Sequence, residues 1–190
     1  MSDSSAIADV GETLLKVLRE QLAPLVAADH ITLASPADVE LDTAPWLVLF
    51  LYQIVANPHL QNPPLIRTEP GRLQFAPLTV DLLYLVVPYA QSRENEHQIM
   101  GRVMQIFAAQ PVLRGSWLQG SLAGSDEELR VLHHALPLDE LLRLWTAFNN
   151  KPYKLSVSYL VTPVRIDSAR PPISIQPVTQ RDVRMQELRR

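Results

Sequence analysis

The chain has 190 residues, of which 47% are hydrophobic and 19% are charged, and its formal net charge is −3. This composition suits one core plus a tail, and the slight acidity argues against DNA or anionic lipid as the main partner. The absence of cysteine excludes disulfides and cysteine-ligated metals. The first residues lack a secretory signal pattern, and no apolar run reaches the roughly 20 residues of a membrane-spanning helix. We therefore expect a cytoplasmic chain without membrane insertion.

The first third of the chain predicts a helix followed by two strands. Apolar residues recur at helical spacing from Ile7 to Leu25, which indicates a helix with one buried face that Pro24 ends or bends. A short extended piece is expected at residues 31–33. In residues 46–56, both the odd-numbered and the even-numbered positions are apolar until Gln53. A strand with two apolar faces is typical of the centre of a sheet.

A Pro-rich stretch follows and predicts a projecting β-hairpin. Residues 65–68 and 72–75 flank Glu69-Pro70-Gly71, which has the composition of a short turn. Because proline is confined to sheet edges and turns, the hairpin should stand away from the domain. We treat the hairpin around Pro70 and Arg72 as a candidate contact surface.

The middle of the chain predicts the most buried strand and a second helix. LTVDLLYLVVPYA, at residues 78–90, is short and almost unbroken in apolar residues, so a strand buried on both faces is expected. Helical spacing follows at residues 94–110, with Ser92 as N-cap. Residues 112–124 have the composition of a loop, and residues 127–133 suggest a short edge strand.

A third helix and a last strand complete the predicted domain. Apolar residues at helical spacing predict a helix that begins after Pro137; they are Leu138, Leu141, Leu142, Trp145 and Phe148. Apolar and polar residues then alternate from Tyr153 to Val161, the period of a strand, and Pro163 marks the expected fraying end.

The final residues differ in character and predict an extended arm. Residues 167–190 are polar, Pro-rich and Arg-rich, with too few apolar residues for a core. Ile173 and Ile175 alternate with polar residues, so the arm could add as a strand to a neighbour's sheet edge. Arg181 and Arg184 suit subunit docking better than nucleic-acid binding, because acidic residues dilute the charge and no aromatic residues interleave.

The sequence contains no recognisable catalytic motif. Phosphate-binding loops, the Gly-x-Ser-x-Gly elbow and His-Glu-x-x-His are all missing. His133 and His134 are adjacent on a predicted strand and should point to opposite faces, which disfavours a shared metal. The acidic groups at residues 126–128 and 139–140 are expected to be solvated turn and helix-start residues. We expect no enzymatic activity, no cofactor and no metal.

Four blocks of this sequence together resemble one protein family. They are FLYQIVANPHLQN, LTVDLLYLVVPYA, HQIMGRVMQIFAAQPVL and PLDELLRLWTAFNNKPYKLSVSYLVTPVRID. In this order they are similar to the N-terminal domain family of cap proteins from extracellular contractile injection systems, the phage-tail-like particles of the Photorhabdus virulence cassette and antifeeding prophage type. The resemblance runs from the first helix to Asp167.

The resemblance implies a structural tail terminator that closes the tube and sheath as a hexameric ring. The expected fold is α/β (α+β) and tail-terminator-like: a single mixed β-sheet flanked by about three helices, with a projecting hairpin and an extended arm. We expect the cap domain at residues 1–166 and the arm at residues 167–190. Expected partners are further copies of the chain and the sheath and inner-tube proteins, without nucleic acid. The chain would assemble in the cytoplasm and then belong to the particle, which can be released from the cell.

Exposure and strand pattern, rather than the resemblance, select the candidate subunit or sheath contacts. These are Pro70, Arg72, Ile173, Ile175, Val178, Arg181 and Arg184. Some similar proteins carry a longer C-terminal extension, so we expect this chain to be a minimal form. The alternative function is an assembly chaperone or adaptor for an injection-system component.

Overall fold

The computed structural model describes residues 4–39, 43–58, 60, 64–69, 72–148 and 151–174. Within these residues the helices are α1 (Ala6–Gln21), α2 (Arg93–Ala109) and α3 (Leu138–Thr146). The main sheet contains β1 (Ile31–Leu33), β2 (Trp46–Ala56), β5 (Leu78–Tyr89), β6 (Val112–Arg114), β7 (Glu128–His134) and β8 (Val157–Ile166). The remaining strands are β3 (Ile66–Glu69), β4 (Arg72–Gln74) and β9 (Ile173–Ser174).

The main sheet is mixed and has the order β1-β2-β5-β8-β7-β6. β1 runs parallel to β2, and every other pairing in this sheet is antiparallel. The near-continuous apolar run of β5 lies at its centre, where almost every residue from Thr79 to Tyr89 is buried. The expected α+β fold with a mixed sheet and three helices is confirmed.

The predicted hairpin forms from β3 and β4, and it belongs to a second, three-stranded sheet. β9 pairs antiparallel with β4, so that Leu73 lies opposite Ile173 and Arg72 lies opposite Ser174. The sequence predicted a single sheet, because nothing in its pattern indicated that the start of the arm would pair with the hairpin. The hairpin and the start of the arm therefore lie side by side.

The core has two parts, one on each face of the main sheet. On one face, α1 and α2 pack against the sheet with residues that include Leu14, Leu18 and Ile106. On the other face, α3 covers the start of β2 and the end of β5 with Leu141, Trp145 and nearby Phe148. Both faces of β5 are thus covered, which explains why its sequence lacks the alternation of a one-sided strand.

α1 is joined to the segment after β6 by partly buried polar contacts. Oδ2 of Asp9 accepts hydrogen bonds from the Oγ atoms of Ser5 and Ser121, each at 2.6 Å, and from the backbone N–H of Ser121 at 2.9 Å. The hydroxyl of Thr13 accepts a further bond from the backbone N–H of Gln119 at 3.1 Å. These bonds fix a segment that has little regular structure.

A salt bridge links the start of α2 to the chain before β8. The ammonium of Lys154 pairs with the carboxylate of Glu96, whose side chain is only 5% exposed. The same ammonium lies 5.1 Å from the centroid of the Tyr89 ring. Burial, together with the charge of Glu96, raises the pKa of the Tyr89 hydroxyl to about 12.

Three local predictions were wrong, and each error concerns tertiary pairing. β7 is an interior strand between β8 and β6, and the predicted loop at residues 112–124 contributes the edge strand β6. β8 does not fray at Pro163 but continues to Ile166. The pairing between β5 and β8 shifts register at Val80/Leu82, which places Pro163 at an irregularity where its missing N–H is tolerated.

The predicted buried face of α3 was also too wide. Leu141, Trp145 and Phe148 are buried, but Leu138 and Leu142 are 64% and 44% exposed. These two residues lie one helical turn apart, on the side of α3 that is next to its buried face. α3 therefore carries an apolar surface that no other described part of the chain covers.

Candidate functional site

The structure places two of the predicted contact residues in the same small sheet. Arg72 on β4 lies opposite Ser174, and Ile173 on β9 lies opposite Leu73, so the side chains of Arg72 and Ile173 point to opposite faces of the small sheet. Ile173 is 41% exposed. The other candidates, Pro70, Ile175, Val178, Arg181 and Arg184, lie outside the described residues. The hairpin and the start of the arm thus share one small sheet, but Arg72 and Ile173 lie on its two different faces.

An apolar groove lies where the small sheet meets the end of the main sheet. Its volume is about 620 Å³, and we call it the hairpin groove. It is lined mainly by Leu65, Phe75, Pro77, Leu78, Ile166 and Asp167. Leu78 is 58% exposed although it begins the most buried strand of the protein. Exposed apolar side chains that are grouped in a concave surface are typical of a binding surface.

Asp167 brings a negative charge to this groove. Among the described residues that line it, Asp167 is the only charged one. Its Oδ2 atom is buried and accepts no hydrogen bond from the described part of the chain. A buried carboxylate oxygen without a donor is unfavourable for the stability of the fold. On the nearby surface, the guanidinium of Arg170 lies 5.0 Å from the Phe75 ring centroid.

A second exposed apolar surface lies on α3. It consists of Leu138, Leu142 and Arg143, and we call it the α3 ridge. The side chain of Arg143 is 81% exposed, and its guanidinium lies 3.6 Å from the carboxylate of Asp139 one turn earlier. Exposed pairs of this kind contribute little to stability, so Arg143 can turn to another carboxylate at small cost.

Three of the acidic residues considered for catalysis form ion pairs; they are Glu127, Glu128 and Asp139. Glu127 binds Arg165 and Glu128 binds Arg114, each at 3.1 Å. Asp139 and Glu140 are exposed in the first turn of α3. Asp139 and Glu140 match the expectation of solvated helix-start residues, whereas Glu128 lies in β7 and the side chain of Glu127 is only 19% exposed.

The described histidines and the buried tyrosines lie in ordinary structural positions. His133 lies on β7 with its ring 6.0 Å from that of Tyr159, centroid to centroid. Within the described part of the chain, no group of three His, Asp or Glu side chains is placed to hold a metal ion. Tyr84 and Tyr159 are core residues, and burial raises the pKa of their hydroxyls.

The sequence pattern missed both the hairpin groove and the α3 ridge. The pattern predicted Leu78 to be part of a buried strand. It predicted Leu138 and Leu142 to be part of a buried helix face. Hydrophobic spacing identifies apolar positions, but it does not show which of them the folded chain leaves uncovered. The available signal was that α3 has more apolar residues than one stripe needs.

Taken together, the mixed sheet and its three helices define a small α+β protein. It carries two exposed apolar surfaces of the kind that proteins use to bind other molecules. The chain belongs to the Pvc16 N-terminal domain family, whose model matches residues 9–180. No curated protein matches the chain. Among the described helices, none combines the length and apolar character needed to cross a membrane.

Two solved structures share this fold. The first is the PVC sheath/tube terminator of an extracellular contractile injection system in its extended state, determined by cryo-EM. It is 21% identical with a TM-score of 0.71, and the match covers 99% of this chain and 65% of the terminator chain. The second is the tube-terminating cap of the anti-feeding prophage, 20% identical with a TM-score of 0.68, with 94% and 61% covered. The chain thus spans somewhat less than two thirds of either protein.

Proposed function

We propose that this chain is a structural cap that terminates the tube and sheath of a phage-tail-like contractile injection system. The observation that carries the proposal is family membership over residues 9–180, together with a fold shared with two terminator proteins along almost the whole chain. The exposed apolar surfaces support a role in assembly, because such surfaces are characteristic of proteins that bind other proteins.

The cap acts as a homo-oligomeric, hexameric ring that contacts the sheath and the inner tube. It performs no chemistry, needs no nucleic acid, and assembles in the cytoplasm before it becomes part of the particle. The cap domain occupies residues 1–166, and residues 167–190 form the contact arm. Ring closure requires heterologous contacts, in which one face of each subunit fits a different face of the next.

The location of the chain tests the proposal. Particles purified from cells that express a tagged chain would be treated with a gold-labelled antibody and imaged by electron microscopy. We expect label at one end of each particle. Label spread along the sheath would contradict a terminator, and absence of the chain from purified particles would favour an assembly chaperone or adaptor.

The contact surface formed by the hairpin and the arm can be tested separately. Changing both Ile173 and Ile175 to Asp should release the chain from the particle, because a buried charge replaces apolar contacts. Met104→Asp is the matched control, since Met104 is 43% exposed and lies on α2, away from the hairpin. Equal retention of both variants in purified particles would show that Ile173 and Ile175 do not contribute to the interface.

A further inference from the structure

The hairpin does not pack into the core of the domain. Among the described strands, β3 and β4 pair with each other and with β9, and neither pairs with a strand of the main sheet. No described residue of β3 or β4 belongs to either part of the core. The hairpin groove and a second cavity of about 280 Å³ border the junction with the main sheet, and Phe75, Pro77 and Asp167 line both. Open space therefore lies where a close-packed core would otherwise fix the hairpin.

The start of the arm connects the hairpin to the domain a second time. β5 and β8 pair as far as Leu78 and Ile166 in the main sheet. The same two chain segments pair again in the small sheet, as β4 and β9, where Leu73 lies opposite Ile173. The gap between these two pairings contains prolines at positions 77, 171 and 172, which lack the N–H of a regular ladder. The small sheet is thus separated from the main sheet by an unpaired junction.

Two contacts of the arm support the hairpin. Ile173 lies opposite Leu73, and the guanidinium of Arg170 lies 5.0 Å from the Phe75 ring centroid, within the range of a cation–π contact. A two-stranded hairpin alone is marginally stable in water, and a third strand adds cross-strand contacts. β3 and β4 have only four and three residues, so the third strand should decide whether the hairpin is ordered.

We propose that residues 168–174 act as a clamp that keeps the hairpin ordered. With β9 paired to β4 the small sheet has three strands, and without β9 the two short strands lose that support. Because coupling between two sites is reciprocal, a partner that binds the ordered hairpin also holds the arm, and a partner that draws the arm away loosens the hairpin. The clamp is a property of the chain itself and goes beyond the proposed function, so either can fail without the other.

Hydrogen exchange in the purified full chain tests the clamp. Combining Arg170→Ala with Ile173→Asp removes the cation–π contact and places a charge opposite Leu73, so the amides of β3 and β4 should exchange about tenfold faster. Amides of β5 should keep their exchange rates, which checks that the main sheet stays folded. Ala169→Asp is the matched control, because it puts the same charge on an exposed residue of the same segment outside β9.

A disulfide provides an independent readout, since the chain has no cysteine of its own. Leu73→Cys and Ile173→Cys place two thiols at directly opposed positions of antiparallel strands, where a disulfide can form. We expect the bond to form within one chain. Exchange of the β3 and β4 amides should then be slower in the oxidised than in the reduced protein.

Three results would overturn the clamp. The combined Arg170→Ala and Ile173→Asp variant could exchange at the rate of the unchanged chain, or Ala169→Asp could accelerate exchange as much. The oxidised and reduced cysteine variants could exchange at the same rate. Disulfides that form only between copies would show that the arm does not hold the hairpin of its own chain.

Discussion

Gly120 lies where a side chain has no room. Its φ is +58°, and a Cβ added there would overlap Oδ1 of Asp9. Gly120→Ala would therefore strain the backbone and displace the carboxylate that holds Ser121. We expect the free energy of unfolding to fall by about 2–3 kcal/mol, measured by urea denaturation.

Two other glycines serve as controls for this change. Gly101 is exposed within α2, and a Cβ added there would have no neighbouring atom within 4 Å, so Gly101→Ala should stabilise the protein by about 0.5–1 kcal/mol. Gly124 has a φ of +73° and similar space, so Gly124→Ala reports the backbone strain alone. A Gly120→Ala variant as stable as Gly124→Ala would show that the contact with Asp9 is unimportant.

The carboxylate of Asp9 should make stability depend on pH. Hydrogen bonds from Ser121 and then Ser5 lower the pKa of this group below its usual value of 3.8. A lowered pKa in the folded state means that the stabilisation is complete above pH 3.8 and is lost as the pH falls through the folded-state pKa. The free energy of unfolding should therefore decrease in this acidic range.

Asp9→Asn isolates this contribution, because asparagine keeps the shape without the titrating carboxyl. Urea denaturation at pH values from neutral to strongly acidic should show a smaller loss of stability for the variant than for the wild type. Parallel pH profiles for the two proteins would mean that other carboxyl groups account for the acid sensitivity.

At the scale of the elements, α3 depends on a small aromatic cluster. Nε1 of Trp145 donates a hydrogen bond to Oγ of Ser156 at 3.1 Å, and its ring packs edge-on against Phe148 and Tyr153. Trp145→Ala would remove this buried side chain and should cost about 3–5 kcal/mol of unfolding free energy. Circular dichroism during urea denaturation would follow the loss.

Leu138→Ala is the control on the same helix. Leu138 is 64% exposed, so its truncation should change the free energy of unfolding by less than about 0.5 kcal/mol. If both substitutions had the same effect, α3 would not be attached through Trp145 as the structure indicates.

The elements also show where sequence patterns succeed. β5 and α2 were predicted closely because their apolar spacing is long and regular, and the side chain of Ser92 accepts the capping bond from the N–H of Asn95 at 3.2 Å. The position of β7 within the sheet was missed, because strand order depends on pairing between distant segments. Composition alone gave no indication that β9 would lie beside β4.

The candidate site was predicted only in part, for a related reason. The hairpin was expected from its prolines and glycine, and Ile173 lies on the strand beside it, opposite Leu73, whereas Arg72 points to the other face of the small sheet. The hairpin groove, with Asp167 and Leu78, arises only when the small sheet meets the main sheet. Such a surface depends on tertiary packing, which local periodicity does not encode.

For the whole molecule, exposed apolar residues are concentrated at the two ends of the main sheet. Leu65, Ile66, Leu78 and Ile173 lie near the hairpin, and Leu138 and Leu142 lie on α3. Exposed apolar residues that are grouped on a surface are typical of protein-binding sites. The proposed cap would require this property.

Particle length tests the terminator role most directly. Particles from producing cells with and without the gene for this chain would be compared by electron microscopy. We expect overlong, ragged or open-ended tubes when the chain is missing, and restoration of normal length when the gene is supplied again. Particles of normal length with a normal cap in its absence would contradict the role as a terminator.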